Sequence, residues 1–377
     1  MKILYVTAFF WPHLGGIETL SLKFLPDMQA RGHEFLIITS LAGRELPVRD
    51  QYEGSSIIRF PFLKAISERN LLLMKKGIQE MAAAKRDFQP DLVHLQMSAP
   101  ISFYHLKTLS VQSAPTLLTL HTCFGDFNAG SDTVLGQTLE SATWTTAVSE
   151  SVMSDARKIF PRISRSSSVV YNGMIEPAVS PSPLALSPPR ILGFGRLVKM
   201  KGFDILVDAY ARLRRRIPGA RLTLVGDGTE RTSLEKQVRD LGLQDCVTFT
   251  GQLSPDQVYE QINQSGLVVI PSRTPDPFPT VGLEAGILGR PVVAAANGGL
   301  PEMILDGKTG LLVEPENPEK FYEAMFSLID EPQKAQRLGD EARSRIKNVF
   351  GWDRYIDSYD SLYHSLVNKL QVPHPEG

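Results

Sequence analysis

The sequence predicts a two-domain α/β protein, each domain a Rossmann-like parallel sheet flanked by helices. Three observations carry this. The 377 residues exceed what one ordinary core fills. Apolar strand-like runs alternate with helical patterns along most of the chain. A proline-rich stretch breaks the alternation near the middle, and the alternation then restarts.

In order, strands are expected at Lys2–Thr7, Phe35–Thr39, Ser56–Phe60, Asp91–Leu95, Thr116–Leu120, Thr143–Val148 and Ser168–Tyr171. Helical patterns such as Thr19–Arg31 and Lys75–Asp87 lie between them. Between Ile175 and Arg190, five prolines forbid regular structure and mark a linker. Strands then resume at Ile191–Phe194, Arg221–Val225, Val247–Thr250, Leu267–Ile270 and Pro291–Ala294, with helices at Phe203–Arg216, Thr229–Leu241 and Pro255–Gln264. A last amphipathic stretch covers Trp352–Leu370. The expected division is a first domain over 1–174, a linker over 175–189, a second domain over 190–350 and a terminal helix over 351–377 that crosses back to the first domain. Ligands in such folds bind beyond the carboxyl ends of the strands, so two domains facing across a cleft are expected.

Composition narrows the function. Hydrophobic residues at 42% and charged residues at 21% suit a globular protein, and a net charge of −1 offers no field for nucleic acid. Cys123 and Cys246 are the only cysteines, which argues against a disulfide framework or a zinc site. The opening MKILYVTAFFW fits a buried first strand better than a signal peptide. No stretch approaches the roughly 18 apolar residues of a membrane span, so a cytoplasmic address is expected.

Four segments could carry chemistry. In Pro271–Ala295 a buried strand runs into a proline-rich loop, and a helix begins near Thr280 after Pro279. Free amides and the helix dipole there make an anion site. Glu284 and Asp276, eight residues apart, either hold sugar diols or serve as a helix cap and a turn residue. In Gly193–Leu206 a strand ends at Gly195, and Arg196 and Lys201 follow, cations suited to a diphosphate. A dinucleotide fingerprint fails there, because its third glycine is replaced by Val198. A Walker loop fails at Gly307-Lys308-Thr309, where Glu302 replaces the earlier glycine. Gly15-Gly16, with Glu18 opening a helix, either admits a ligand to the backbone or is an ordinary loop. His121 follows strand Thr116–Leu120 at its carboxyl end, as an active-site or a structural residue.

Together these pieces resemble glycosyltransferase family 4, the retaining enzymes of the GT-B fold. The resemblance runs through GGIE (15–18), ARGHE (30–34), PDLVH (90–94), HTCFGD (121–126), AVSE (147–150) and VVYNG (169–173). It continues through GRLVKMKG (195–202), LVGDG (224–228), FTGQL (249–253), DPFPTVGLEA (276–285) and TGLLV (309–313). It implies that Arg196 and Lys201, after Gly195, bind the donor diphosphate. Glu284 would hold the ribose, and Asp276 and His121 would meet the transferred sugar. The amides of Phe278, Thr280 and Val281 would line sugar and phosphate, Gly15 and Gly16 would close on the diphosphate, and Gly251 to Leu253 would lie against the base. Neither a metal nor another cofactor is implied, since cations and helix ends neutralise the leaving group. Two positions depart from the family pattern: Asp276 stands for the usual Glu, and Pro279 for a common glycine.

The expected reaction moves a hexose from a nucleotide diphosphate-sugar, UDP first and GDP next, to a saccharide, lipid-linked or small-molecule acceptor. A sugar phosphorylase or epimerase on the same plan, and a degenerate partner subunit, are the alternatives. The segment Phe62–Arg86 mixes apolar and basic residues, and reads either as a peripheral membrane contact or as a packed helix with a solvated basic face.

Overall fold

The computed structural model describes residues 1–13, 15–41, 45–96, 99–124, 130 and 132–371. They fall into two compact units, Met1–Tyr171 with Tyr355–Gly377, and Asn172–Arg354.

The first unit holds β1 (Lys2–Val6), β2 (Glu34–Ser40), β3 (Arg49–Tyr52), β4 (Ser55–Phe60), β5 (Leu92–Gln96), β6 (Thr116–Leu120), β7 (Trp144–Ala147) and β8 (Ser167–Val169). They form one sheet in the order 3-4-2-1-5-6-7-8. Every pairing is parallel except β3 on β4. That edge hairpin is absent from the sequence expectation, because Arg49-Asp-Gln-Tyr offers no apolar run. Its turn is Glu53-Gly54, both at positive φ (44° and 82°), as a tight two-residue hairpin demands. Strands β5 and β6 are buried along their whole length, as expected of a parallel sheet covered on both faces.

The second unit holds β9 (Arg190–Phe194), β10 (Arg221–Val225), β11 (Val247–Gly251), β12 (Leu267–Ile270), β13 (Val292–Ala295) and β14 (Leu311–Val313). These pair in parallel in the order 11-10-9-12-13-14. Strand order therefore reverses between β1 and β5 in one sheet and between β9 and β12 in the other. At such a switch point neighbouring connections leave on opposite faces and open a crevice.

The proline-rich stretch read as a linker lies within the second unit and is fastened there. Arg290, 1% exposed, donates to the carbonyls of Ser182, Ser265 and Leu288. Asn263 bonds the Ser182 amide at 2.7 Å and the Ser180 carbonyl at 3.0 Å. Met174 joins the same unit by donating to Phe350 at 2.7 Å and accepting from Trp352 at 3.1 Å. The terminal helix runs Trp352–Gln371, and from Tyr355 onward it belongs to the first unit. Tyr355, Tyr359 and Tyr363, spaced four apart and 6%, 1% and 0% exposed, form its buried stripe. Among the described residues no helix is long and apolar enough to cross a membrane.

Candidate active site

In the second unit the switch point brings two loops together. The β9 loop begins at Gly195, whose φ of +137° favours glycine, and ends at Gly202 (φ +69°) before helix Phe203–Arg216. Gly202 also passes so close to the Pro271 carbonyl that a Cβ would collide with it. This contact, and a 2.8 Å bond from the Arg273 amide to Met200, press the β9 loop against the loop leaving β12. Between the two, Lys201 pairs with Asp276 in a partly buried ion pair, their side chains 22% and 15% exposed. Arg196 is exposed and makes no ion pair among the described residues.

Asp276 is set from behind as well. Its carbonyl accepts from the Gly299 amide at 2.8 Å, and a Cβ on Gly298 (φ +56°) would strike its backbone. The Asn297 amide reaches the Ser272 carbonyl at 2.8 Å. Arg273 ties the same loop to Asp204 at 2.6 Å and to Glu316. Against the burial that would raise it, Lys199 and Arg273 hold Asp204 below the usual carboxylate value.

Helix Thr280–Ile287 starts directly after this loop, with Pro279 at its N-cap and no side chain capping it. The amides of Thr280 and Val281 have no intrahelical acceptor and are donors at the positive end of a dipole. Phe278 is buried with its ring 5.9 Å from Phe350, which fixes the helix entry. Glu284 is half-buried one turn in. Burial, then the nearby carboxylates of Glu284 and Asp256, push Tyr259 up to about 12. Gly251 ends β11 at φ +73°, and its carbonyl accepts from Gly226 at 2.9 Å; Leu253 follows, half-buried.

In the first unit, Gly15 caps helix Gly16–Ala30, and Glu18 folds back so closely that a Cβ on Gly15 would collide with its carboxylate. A Cβ on Gly16 would meet nothing within 4 Å, so packing does not require that glycine and the space beside it is open. His121 leaves the end of β6 half-buried, with Nε2 on the side-chain oxygen of Gln96 at the end of β5. Burial pushes His121 down to about 4, so its ring is neutral at neutral pH. Of the HTCFGD segment, Gly125 and Asp126 lie outside the described residues, as do residues 372–377 of the terminal segment.

Two family profiles match consecutive parts of the chain: Glycosyltransferase Family 4 over residues 14–176, and Glycosyl transferases group 1 over residues 177–345. The chain belongs to glycosyltransferase family 4. Over 188 residues it is 32% identical to a glycogen synthase of Mycobacterium tuberculosis, covering 50% of this chain and 45% of that protein. Over 171 residues it is 33% identical to the GDP-mannose-dependent alpha-(1-6)-phosphatidylinositol monomannoside mannosyltransferase of the same organism, covering 44% of each. The chain thus spans about half the length of the curated relatives it matches. The fold is that of sucrose-phosphate synthase from Thermosynechococcus elongatus (TM-score 0.82, 22% identity, 98% of this chain and 99% of that one). Anabaena HepE, solved with UDP, matches at a TM-score of 0.78 and 22% identity, over 97% of this chain and 100% of its own. These neighbours are GT-B proteins, and both parallel-sheet domains of this family member have their counterpart there.

Some of the framework of this family member escapes a reading of local motifs. Asn297-Gly298-Gly299 carries a turn composition after a strand, but nothing in it reveals that it clamps Asp276. Arg273 looks like an ordinary loop cation. Gln96 gives no signal at all. A further cluster, His33, Asp360 and His364, gathers three groups that could hold a metal ion, though no spacing announces it. Its carboxylate is already engaged by His33 at 2.8 Å and Arg31 at 3.3 Å. Helix Leu71–Phe88 packs through Gly77, Met81, Ala82 and Ala84. Lys85, read as part of a basic face, is instead buried and donates to the Thr108 carbonyl at 2.9 Å.

Proposed function

We propose that this chain transfers a hexose from a nucleotide diphosphate-sugar to a saccharide, lipid-linked or small-molecule acceptor, with retention and without a divalent metal. The observation that carries the reading is the junction at the β9/β12 switch point. There Lys201 pairs with Asp276, helix Thr280–Ile287 opens just after the Asp276 loop, and Arg196 lies exposed on the same β9 loop as Lys201. A departing diphosphate gains negative charge as the bond to the sugar breaks, and preorganised cations and amides are the strongest means of stabilising it. Asp276 and His121 serve the sugar, Glu284 the ribose, and Gly251 to Leu253 the base. Gly15 and Gly16 are assigned to the diphosphate as well. The acceptor attacks the face the nucleotide leaves, and the departing phosphate oxygen takes its proton.

Relatives named for GDP-mannose and neighbours solved with UDP support a nucleoside diphosphate donor, UDP first and GDP next. The protein would work in the cytoplasm. Leu71 and Leu72, 77% and 82% exposed beside Lys75 and Lys76, are the patch through which it would meet a membrane-borne acceptor.

The test is a thermal-shift screen of UDP-, GDP-, ADP- and dTDP-sugars, then mass spectrometry of products from pooled free and vesicle-borne acceptors, all with and without EDTA. The expected outcome is one stabilising nucleotide class and a transferred hexose, unaffected by chelator. Loss of transfer in EDTA, restored by magnesium or manganese, would overturn the charge assignment. Nucleotide-sugar consumption that needs phosphate and no acceptor would identify a phosphorylase.

A further inference from the structure

Behind His121 the first unit carries a buried chain of hydrogen bonds that runs to the terminal helix. Register aligns its members: Gln96 pairs with Thr119 across β5 and β6, and His94 lies two residues before Gln96 on the same face of the sheet. The Gln96 side-chain oxygen meets His121 Nε2, and its amide nitrogen lies 3.1 Å from His94 Nε2. Thr119 Oγ1 is 2.8 Å from the same His94 nitrogen, and Tyr359 Oη is 3.3 Å from Thr119. On the other side of its ring, His94 Nδ1 meets Tyr363 Oη at 2.6 Å. His94, Thr119 and Tyr363 are 0% exposed, and Gln96 only 6%.

The donors and acceptors admit a consistent direction. An amide nitrogen can only donate, so His94 Nε2 accepts and its proton sits on Nδ1, where Tyr363 receives it. An amide oxygen can only accept, so His121 carries its proton on Nε2. His121 Nδ1 is left as the acceptor for a ligand hydroxyl.

We propose that Tyr363 and Tyr359 of the terminal helix are positioning residues for His121, acting through His94, Thr119 and Gln96. They fix its ring orientation and hold it in the Nε2–H tautomer. This rests on the reading that His121 touches the transferred sugar. It adds a task for the terminal helix beyond packing: two of its tyrosines set the chemistry of a side chain more than two hundred positions earlier. Burial supports the assignment, since it pushes His94 to about 3 and His121 to about 4 and so keeps both rings neutral.

The experiment compares Tyr363→Phe, Gln96→Met and His121→Ala in the full chain. UDP-glucose and GDP-mannose turnover is followed as nucleotide release, nucleotide affinity by calorimetry, and imidazole tautomers by long-range ¹H–¹⁵N NMR. Loss of one neutral hydrogen bond corresponds to about a five- to tenfold fall in kcat. Tyr363→Phe and Gln96→Met should each show such a fall, unchanged nucleotide affinity, and a mixture of tautomers at His121. Gln96→Met sits on the strand and serves if Tyr363→Phe does not fold. If His121→Ala turns over normally, the role of His121 is wrong and the inference goes with it. If His121→Ala is slow while Gln96→Met and Tyr363→Phe keep wild-type turnover and a single tautomer, the positioning inference alone is overturned. A lowered Tm with no change in tautomer marks a merely structural contact and overturns it too.

Discussion

In the second unit the residues proposed to meet the donor ride on loops held by charge: Lys201 on Asp276, Arg273 on Asp204 and Glu316, Lys199 on Asp204. In the first unit His121 stands at the end of a buried chain of uncharged groups, with Gln96, His94, Thr119 and two tyrosines behind it. The difference follows from burial. A carboxylate or ammonium is tolerated where water still reaches, as at 15–22% exposure, and a neutral hydrogen bond is the cheaper means of fixing geometry where it does not. Histidine makes the contrast complete: the described histidines, His13, His33, His94, His105, His121 and His364, all fall in the first unit, and the second has none.

The largest effect expected from this contrast is selective acid opening of the first unit. Burial pushes His94 and His105 down to about 3 and His121 to about 4, from an ordinary 6.5. Below pH 6.5 the unfolded chain binds protons that the folded one refuses. Stability is therefore lost as pH falls from 6.5 towards about 4, by up to about 1.4 kcal/mol per pH unit for each of the buried pair His94 and His105, and by less for half-buried His121. Asp204, held below the usual 3.8, contributes only at lower pH. Hydrogen exchange at pH 7 and pH 4.5 should show β5 and β6 losing protection while β9 and β12 keep it. Equal loss in both sheets would break the comparison.

Next in size are Arg196→Ala and Lys201→Ala. Both cations are assigned to charge that grows in the transition state, so kcat should fall about a hundredfold or more with acceptor KM little changed. Arg196 has no ion-pair partner among the described residues and its charge is wholly available, whereas part of that of Lys201 is committed to Asp276. Steady-state kinetics should accordingly show the larger loss in Arg196→Ala. A change confined to acceptor KM would contradict the assignment.

How far each site was legible follows the same division. The second unit carries its candidate residues on segments contiguous in sequence: Gly195 to Gly202 and Asp276 to Glu284 hold residue type, spacing and strand-to-helix context together. The start of the helix at Thr280 and the placement of His121 after β6 were likewise readable from turn chemistry and apolar runs. What holds these residues was not. Tyr363 and His94 lie 269 positions apart, and nothing local says that a tyrosine on an amphipathic helix ends on a strand histidine. Tyr355, Tyr359 and Tyr363 read as any buried helical stripe. Arg290 and Asn263 hold the proline-rich stretch to the second unit through backbone carbonyls and amides, contacts with no side-chain pattern to betray them. The polar edge strand β3 shows the same limit, because pairing, not hydrophobicity, makes it a strand.

The smallest expected effect, and the one that best separates charge from geometry, concerns Asp276. In the structure its carboxylate is the partner of Lys201, so two roles compete for it: counter-ion of a phosphate-binding lysine, or acceptor of sugar hydroxyls. Asp276→Asn keeps the shape and one acceptor oxygen but removes the charge, which releases Lys201. Hydrogen bonds to a charged group are worth roughly 1.5–3 kcal/mol, so loss of the sugar contact should lower transfer by at least about tenfold. Nucleotide affinity should hold or rise, because the freed ammonium is available to phosphate. Asp276→Glu lengthens the side chain by one methylene, and should shift preference among donor sugars while leaving preference among nucleotides alone. Parallel measurement of transfer rate and nucleotide affinity decides the matter. If Asp276→Asn transfers at the wild-type rate and only its nucleotide affinity moves, the carboxylate serves Lys201 and never the sugar. If both fall together, the variant has disturbed the loop that Gly202 and Gly298 hold in place, and a second substitution in that loop, Arg273→Lys, should reproduce the loss without touching the carboxylate.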